Sequence, residues 1–591
     1  MMTTPESLVI MENLPSPSPA IPGDDVLRLL KEAETRHIGG DLSGAVVFYQ
    51  QAIALLPVIP EAYDVLGIAL FDLGRFGDAV TCCRQAIVLR PDYPHAHFNL
   101  ASAWRAQGQT GIAIPLYHRA IILGHNRAEC LLGLGIAHFV QEDRSQAVIA
   151  YHRAIAQQPD YAEAYCNLGI VLCDLYDIED SAVACRRALA LRPNYPRALN
   201  SLGNALQALG RIDQAVAAYH AAIALQPDYA EPINNLSNAL VRQGHLTEAI
   251  AGYEQALVLA PNDPRIHLVY SMALLKRGRL REGWEEFEWR WLEQAPDRKT
   301  LVSGRPRVPQ PEWIGQPLEG RTILLYTEHG LGDALQFVRY APILADRGAR
   351  VVLTVFPGLV RLMRLMPGVA DAVSLTDPMP PFDYHLSMMS VPRVVGTELD
   401  SIPATIPYIR AEPAEIAAWR DRVAALPGLK VGLAWAGDPR PHNRGAYLMD
   451  ALRSMRLDQF AGLGGIDGVT LVSLQKGAPA QQTRTLPAGL KLVDWTDELK
   501  DFADTAALVS TLDLVITVDT SIVHVAGALG IPVWILSRFA GCWRWLEDRT
   551  DTPWYPTARL YHQRVPREWD EVLSRIRNDL ISLVAAAHRD A

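Results

Sequence analysis

The chain has 591 residues, of which 49% are hydrophobic and 20% charged, and its formal net charge is −10. This length exceeds what one hydrophobic core supports, so we expect two to four domains. The acidic balance and the lack of a long Lys or Arg run argue against a nucleic-acid partner, because phosphate binding needs a concentrated basic face.

The N-terminal segment has no basic stretch followed by an apolar core, and no apolar stretch reaches the roughly 18 residues that a membrane span needs. The seven cysteines have no zinc-like spacing and are typical of small packing residues in a reducing compartment. We therefore expect a cytoplasmic protein without a metal site. Residues 1–24, which contain Pro15, Pro17, Pro19 and Pro22, are expected to be a disordered lead-in.

From residue 25 to residue 297 the same pattern returns every 34 residues. Most copies have a small residue, a second small residue seven positions later on the same helical face, and a proline that ends the helix. The first small residues are Ala45, Ala79, Ala113, Ala147, Ser181, Ala215, Ala249 and Gly283. The pattern resembles the tetratricopeptide repeat (TPR), in about eight copies, and predicts an all-α solenoid with a concave groove.

The first helices of three repeats carry an asparagine at the same position, namely Asn99, Asn167 and Asn235. An amide side chain both donates and accepts hydrogen bonds, so a row of asparagines can pair with a peptide backbone without reading its sequence. The solenoid is therefore expected to bind an extended polypeptide. In the alternative interpretation, these asparagines cap or bridge neighbouring helices.

The composition changes after the eighth repeat. Residues 282–292 (EGWEEFEWRWL) predict an aromatic-rich last helix that needs an apolar surface to cover it, and residues 298–320 predict a linker. From residue 321 onward, short apolar runs alternate with amphipathic helices, the pattern of parallel βαβ units. We expect two Rossmann-like half-domains, residues 321–427 and 428–560, and a C-terminal helix within residues 561–591 that crosses back onto the first half and braces the hinge. Core packing alone is the alternative interpretation of this helix.

A glycine-bearing turn follows the first predicted strand and opens a helix. Gly330 and Gly332 allow a ligand to approach the backbone, and Asp333 lies near a helix N-terminus that favours its ionised form. An ionised carboxylate at the edge of a cleft is suited to act as a general base. Helix capping by Asp333 is the alternative interpretation.

A second turn follows the strand DLVITV. It contains Asp519, Thr520 and Ser521, and His524 lies one turn into the next helix. Free backbone N–H groups, two hydroxyls and an imidazole at the positive end of a helix suit a diphosphate, with Asp519 holding the loop or a sugar hydroxyl. Alternatively, Thr520 and Ser521 are ordinary caps and His524 is a core histidine.

Four segments, GLGDALQFVRYAPILADRGARV, GLAWAGDP, SLQKG and DLVITVDTSIVHVAGALGIPVW, resemble two-domain (GT-B) glycosyltransferases related to bacterial lipopolysaccharide heptosyltransferases. The joined architecture resembles bacterial TPR glycosyltransferases, including flagellin-modifying enzymes, and more distantly the eukaryotic O-linked N-acetylglucosamine transferase. The resemblance implies transfer of a sugar from a nucleotide-sugar substrate to an acceptor hydroxyl, without a metal ion or a bound cofactor.

The resemblance also implies roles for individual residues. Asp333 matches the catalytic aspartate, and Gln475 and Lys476 match a donor-contacting segment in which Lys476 neutralises leaving-group charge. The donor-phosphate loop is matched by Asp519, Thr520, Ser521 and His524. The chain departs from the family pattern after GLAWAGDP, where a basic run is expected, so the cationic role passes to Arg440, Arg444 or Arg453. An exposed, solvated Lys476 is the alternative for that residue.

The leading hypothesis is a protein glycosyltransferase. In it the TPR groove holds the acceptor polypeptide, the cleft between the half-domains holds the nucleotide sugar, and Asp333 activates a Ser or Thr hydroxyl. Flagellin is the acceptor that the resemblance suggests. Two alternatives remain: a non-catalytic TPR scaffold with a degenerate GT-B region, and a transferase acting on a glycan or lipopolysaccharide.

Overall fold

The computed structural model describes residues 23–292, 306, 308–440, 447 and 450–590. The lead-in up to residue 22 and the candidate donor ligand Arg444 lie outside the described residues. The chain divides into two compact units, Met1–Leu236 and Ser237–Ala591. This division falls well before the linker expected at residues 298–320.

Sixteen helices make up the described chain up to residue 287, and they confirm the predicted all-α repeat solenoid. They are α1 (Gly23–Ile38), α2 (Leu42–Leu55), α3 (Pro60–Asp72), α4 (Phe76–Leu89), α5 (Pro94–Ala106), α6 (Thr110–Ile122), α7 (Arg127–Val140), α8 (Arg144–Gln157), α9 (Ala162–Asp174), α10 (Ile178–Leu191), α11 (Pro196–Ala208), α12 (Ile212–Leu225), α13 (Ala230–Gln243), α14 (Leu246–Leu259), α15 (Pro264–Arg277) and α16 (Leu280–Phe287).

The repeated small residues explain the close packing within a repeat. Ala45, Ala79 and Ala113 are all buried, and a larger side chain there would separate the crossing helices. Several first helices begin with proline, as at Pro60 and Pro94. The fixed φ of proline suits the first helical turn, and the N–H group that it lacks would have no partner within the helix there.

The second unit contains two sheets in which every strand pair is parallel, as predicted for the α/β region. The first sheet has the order β3-β2-β1-β4, with β1 (Thr322–Tyr326), β2 (Arg350–Val355), β3 (Val369–Ser374) and β4 (Tyr384–Ser387). Its helices are α17 (Leu331–Phe337), α18 (Ala341–Asp346), α19 (Val360–Met363), α20 (Val391–Val395) and α21 (Pro413–Ala424).

The second sheet has the order β10-β9-β8-β5-β6-β7. Its strands are β5 (Leu429–Ala434), β6 (Val469–Ser473), β7 (Leu492–Val493), β8 (Leu514–Val518), β9 (Val533–Ser537) and β10 (Ala558–His562), and its helices are α22 (Phe502–Val509), α23 (Ser521–Leu529) and α24 (Asp570–Asp590). This is the doubly wound order. Strands β6 and β7 are added on one side of β5 and strands β8, β9 and β10 on the other, so the strand order reverses between β5 and β8. Ligands of such sheets bind at the carboxyl ends of the strands beside that reversal.

The end of the repeat region packs into a core to which both halves contribute. Trp284 and Phe287 are buried, and the Trp284 ring lies 5.7 Å from Phe337 and 5.3 Å from Trp543. These contacts supply the apolar surface that residues 282–292 require. Part of the expected linker is also built into the first half, since Trp313 is buried and its backbone N–H donates to the carbonyl of His385.

The C-terminal helix α24 packs into the core of the second half, which favours the core-packing interpretation over a brace at the hinge. Its buried residues Val572, Ile576 and Leu580 share a core with Phe460 and Ile516, which belong to the second half. The Arg577 side chain also donates to the carbonyl of Gly462 there. Strand β10 and α24 therefore extend the second half to residue 590, because the amphipathic face of α24 covers the second sheet. Within the described residues, no helix is both long and apolar enough to cross a membrane.

Candidate active site

The turn between β1 and α17 positions Asp333 at the start of a helix. Gly330 has extended backbone, and its N–H donates to Oδ2 of Asp333 at 2.7 Å, so Asp333 does cap α17. The other carboxylate oxygen, Oδ1, accepts from Arg544. About a fifth of the Asp333 side chain stays exposed, 22% against 11% for Arg544.

Arg544 controls the protonation of Asp333. Burial favours the neutral acid, yet the Arg544 guanidinium, helped by His329 and the Gly330 N–H, holds the pKa of Asp333 below its ordinary value. Asp333 is therefore a carboxylate at neutral pH, as a general base must be. The same ion pair makes it a weak base for as long as Arg544 stays in contact.

The turn between β8 and α23 lies beside the reversal point of the second sheet. The Thr520 hydroxyl caps α23 by accepting from the Ile522 N–H, and the Asp519 carbonyl accepts from Arg453 Nη1 at 2.9 Å. Asp519, Thr520 and Ser521 are all partly exposed at the start of this nine-residue helix. The loop thus offers backbone N–H groups with a cation fixed at its edge.

His524 is buried, with 5% of its surface exposed, and its Nδ1 lies 2.8 Å from the Tyr555 hydroxyl. Burial first, and then the nearby Arg544, lower the pKa of His524 to about 3. The imidazole is therefore neutral at physiological pH. It can offer a hydrogen bond to a phosphate, but it adds no positive charge.

The two predicted turns meet each other in the structure. A Cβ atom built on Gly332 would lie 2.7 Å from Cδ2 and 3.1 Å from Nε2 of His524, and 3.7 Å from Cα of Ser521. Gly332 is thus needed because the His524 ring and the start of α23 press against α17. Asp333, from the first half, and the candidate phosphate loop, from the second half, therefore line one site.

Gln475 and Lys476 hold the second half together. The buried Gln475 amide accepts from the N–H groups of Trp435 and Ala436, which follow β5 directly. The Lys476 ammonium donates to the carbonyls of Thr496 at 2.6 Å and Leu499 at 2.9 Å. A role for Lys476 at the leaving group would require it to give up both carbonyls, so the structure gives these two residues a supporting position.

Of the three arginines that the sequence offered for the missing basic run, the structure places Arg453 at the loop. Its Nε donates to Asp450, and its Nη1 donates to the Asp519 carbonyl. Arg440 has a left-handed backbone with φ of 42°, is partly exposed and adjoins undescribed residues.

Two of the three asparagines expected to bind a peptide bridge neighbouring repeats. The Asn99 amide donates to Asp64 at 2.9 Å, and the Asn235 amide donates to Asn200 at 3.0 Å, each pair joining the first helices of adjacent repeats. Asn167 is buried. For Asn99 and Asn235 the structure therefore favours the bridging interpretation, since a donor that a peptide ladder needs is already used.

Neither Arg544 nor Arg290 was predicted from the sequence to be a functional residue. Arg544 lies between Trp543 and Trp545, and this aromatic-flanked cation was the available signal. Arg290, just after α16, donates to both carboxylate oxygens of Glu328, at 2.9 and 2.8 Å, and both side chains are only 5% exposed. Glu328 immediately precedes the Gly330 turn, so the end of the repeat region anchors the root of that turn. No cluster of three or more His, Cys, Asp or Glu side chains suited to a metal occurs in the described part of the chain.

Comparisons with known proteins support the repeat region most directly. Family models described as "TPR repeat" match residues 67–108 and 203–244, and models described as "Tetratricopeptide repeat" match residues 132–196, 234–298 and 184–217. Together with the sixteen helices, they identify the helical region as a TPR solenoid, which indicates a role in protein binding.

A curated relative is Protein FlbA of Caulobacter vibrioides, 26% identical over 332 residues, which cover 52% of this chain and 53% of FlbA. The chain therefore spans about half the length of the curated relative that it matches. Among solved structures, the Cut9–Hcn1 hetero-tetramer of APC/C aligns with 18% identity and a TM-score of 0.38, covering 41% of this chain and 48% of that one. A thermophilic TPR protein of Thermus thermophilus aligns with 25% identity and a TM-score of 0.28, covering 31% of this chain and 100% of that one.

Proposed function

We propose that the protein transfers a sugar from a nucleotide-sugar donor to a hydroxyl of a polypeptide bound by its TPR solenoid. The observation that carries this proposal is the meeting of the Asp333 turn with the loop that opens α23, through Gly332 and His524. A carboxylate from one parallel sheet then faces an anion-binding helix start from the other. This arrangement suits a reaction in which a hydroxyl is deprotonated while a diphosphate departs.

Each group has a part in the proposed reaction. The acceptor oxygen attacks the sugar carbon that carries the diphosphate and its proton passes to Asp333, while the bond to the diphosphate oxygen breaks and its electron pair leaves with the phosphate. In this proposal the developing negative charge is stabilised by Arg453 and by the N–H groups at the start of α23, which the Arg453 bond to the Asp519 carbonyl holds together. The proposed donor ligands within the described residues are Gly330, Gly332, Thr520, Ser521 and His524, with the last three nearest the phosphates. Asp519 holds the loop or a sugar hydroxyl, and Gln475 and Lys476, which were also expected to contact the donor, support the site from behind.

Donor binding is the first test. UDP, ADP, GDP, CMP and their sugar conjugates are titrated against the protein by thermal shift and calorimetry. One nucleotide at a hundred times its Kd should stabilise the fold by about 2.7 kcal/mol. A wild-type protein that binds none of them contradicts the transferase and supports the non-catalytic scaffold.

Transfer is the second test, with the labelled sugar followed into polypeptide, flagellin being the first acceptor to try. Replacing Asp333 with Asn should lower kcat by roughly 10²–10⁴-fold, because it removes the base and leaves the Gly330 cap possible. The matched control is Asp346→Asn, an exposed carboxylate at the end of α18, which should retain full activity. Wild-type activity in Asp333→Asn contradicts the base assignment, and activity on a free glycan without the repeats supports the glycan transferase instead.

A further inference from the structure

The Arg544 guanidinium is strongly paired on one side and weakly paired on another. It contacts Oδ1 of Asp333 through Nη2, and its Nε donates to the Gln336 side-chain oxygen at 2.5 Å. Its Nη1 lies 3.2 Å from the Cys542 sulfur. A thiol is a weak acceptor, so this nitrogen of a rigid five-donor fork is held only weakly.

The loop that opens α23 lies within electrostatic reach of Arg544. Gly332, the neighbour of Asp333, packs against Ser521 at the start of α23, and Arg453 is fixed on the Asp519 carbonyl. The Asp519 carboxylate also helps to raise the pKa of Arg544. An anion seated at Thr520 and Ser521 is thus placed to attract Arg544. The competing anion is Asp333, which belongs to the other half of the second unit.

We propose that Arg544 exchanges partners when the donor binds. Without donor it pairs with Asp333; with donor it pairs with the diphosphate, and Oδ1 of Asp333 becomes free to take the proton of the acceptor hydroxyl. This inference rests on the proposed function and adds a regulatory step to it. The base gains its strength only when the leaving group is in place.

The exchange is favoured by the chemistry of the two anions. A diphosphate carries more negative charge than one carboxylate and offers several oxygens to the planar guanidinium fork. Among the described residues, Arg544, His329, the Gly330 N–H and the neutral His524 face Asp333. Loss of Arg544 from this set removes the main cause that lowers the pKa of Asp333, and burial then strengthens it as a base.

The first test measures affinity by calorimetry for UDP, ADP, GDP and CDP, each compared with its nucleoside. Arg544→Gln should weaken diphosphate binding about a hundredfold and leave nucleoside binding unchanged. Arg544→Lys should recover part of the loss, because it keeps a charge and loses the fork. Asp333→Asn should tighten diphosphate binding about tenfold, since the guanidinium no longer has to leave a carboxylate. Arg549→Gln, an exposed arginine paired with Asp551, is the matched control and should behave as wild type.

The second test is a crystal structure of the wild-type protein with the tightest-binding of these diphosphates. The exchange requires Arg544 within hydrogen-bond distance of a phosphate oxygen and separated from the Asp333 carboxylate by more than an ion-pair distance of about 4 Å. An intact Arg544–Asp333 pair in the complex, or wild-type diphosphate affinity in Arg544→Gln, overturns the exchange and leaves the transferase standing. Failure of the wild-type protein to bind any of the four diphosphates instead contradicts the proposed function itself, and the exchange falls with it.

Discussion

At the scale of single residues, Gly332 sets how closely the two halves of the candidate site approach. Gly332→Ala should destabilise the fold by about 1–3 kcal/mol and weaken donor binding, because the new methyl would lie 2.7 Å from the His524 ring. Chemical denaturation measures the first effect. The control is Gly330→Ala, whose Cβ would meet only the Asp333 Oδ2, at 3.3 Å, and which should cost much less. Equal losses in the two variants would show that the His524 contact is not the reason for glycine.

His524 makes stability depend on pH. Its folded pKa of about 3 lies below its usual value of 6.5, so the unfolded chain binds the proton more readily. The folded state is then fully favoured above pH 6.5 and loses up to about 1.4 kcal/mol per pH unit as the pH falls below it. Denaturation curves at about pH 6.5 and pH 5 should show this slope in the wild type and a reduced one in His524→Gln. Identical slopes in the wild type and in His524→Gln would show that His524 is not the group that causes this pH dependence.

At the scale of elements, the turns within repeats show where the TPR pattern is imperfect. Most of these turns have glycine in the left-handed region, as Gly108 has with φ of 77°, whereas Glu142, between α7 and α8, has φ of 66°. Glu142→Gly should raise the free energy of unfolding by about 1 kcal/mol, since a side chain disfavours this conformation. The opposite kind of substitution, Gly108→Ala, should lower the free energy of unfolding. Urea denaturation of both variants checks the pair, and destabilisation by Glu142→Gly would mean that the contacts of the Glu142 side chain outweigh the strain.

The 3-10 turn Glu288–Trp291 after α16 is expected to contribute strongly to the stability of the fold through Arg290. Arg290→Met leaves the buried Glu328 uncompensated and should cost about 3–5 kcal/mol, and adding Glu328→Gln should restore much of it. The control is Arg281→Ala, which breaks an ion pair between side chains that are 70% and 48% exposed and should cost less than about 1 kcal/mol. Thermal unfolding measures the stability of each variant, and donor binding is a second readout. A double variant no better than Arg290→Met would contradict the ion-pair explanation.

The elements also show what can be inferred from a sequence of this kind. The TPR helices were predictable because eight copies agree in phase, and the two turns because parallel strands bring their carboxyl ends to one edge. The Asp333–Arg544 pair was not, since 211 residues separate its partners and no local pattern links them. The amphipathic face of α24 likewise gave no sign of which sheet it covers. The carbonyl partners of the Lys476 ammonium were likewise not predictable, because they follow from a loop shape.

At the scale of the whole molecule, the last repeat helices belong with the α/β region. A fragment of residues 298–591 loses the cover that Trp284 gives to Phe337 and Trp543, and the loss of one such side chain corresponds to roughly 3–5 kcal/mol. It should aggregate or unfold at a lower temperature than a fragment of residues 228–591, which keeps α13–α16. Size-exclusion chromatography and thermal unfolding compare the two. Equal stability would mean that the repeats contribute nothing to this core.

The buried Arg339 has one further consequence for the molecule. Its hydrogen bonds within the described residues go to the carbonyls of Gln336, Pro403 and Trp554 and to the Tyr408 hydroxyl, so none of these ligands cancels its charge. Arg339 acts on His524 in the same direction as Arg544 and Arg453. Arg339, Arg453 and Arg544 therefore bring positive charge close to His524 in a chain whose net charge is −10. This charge should attract the anionic donor, whose association rate should fall as ionic strength rises.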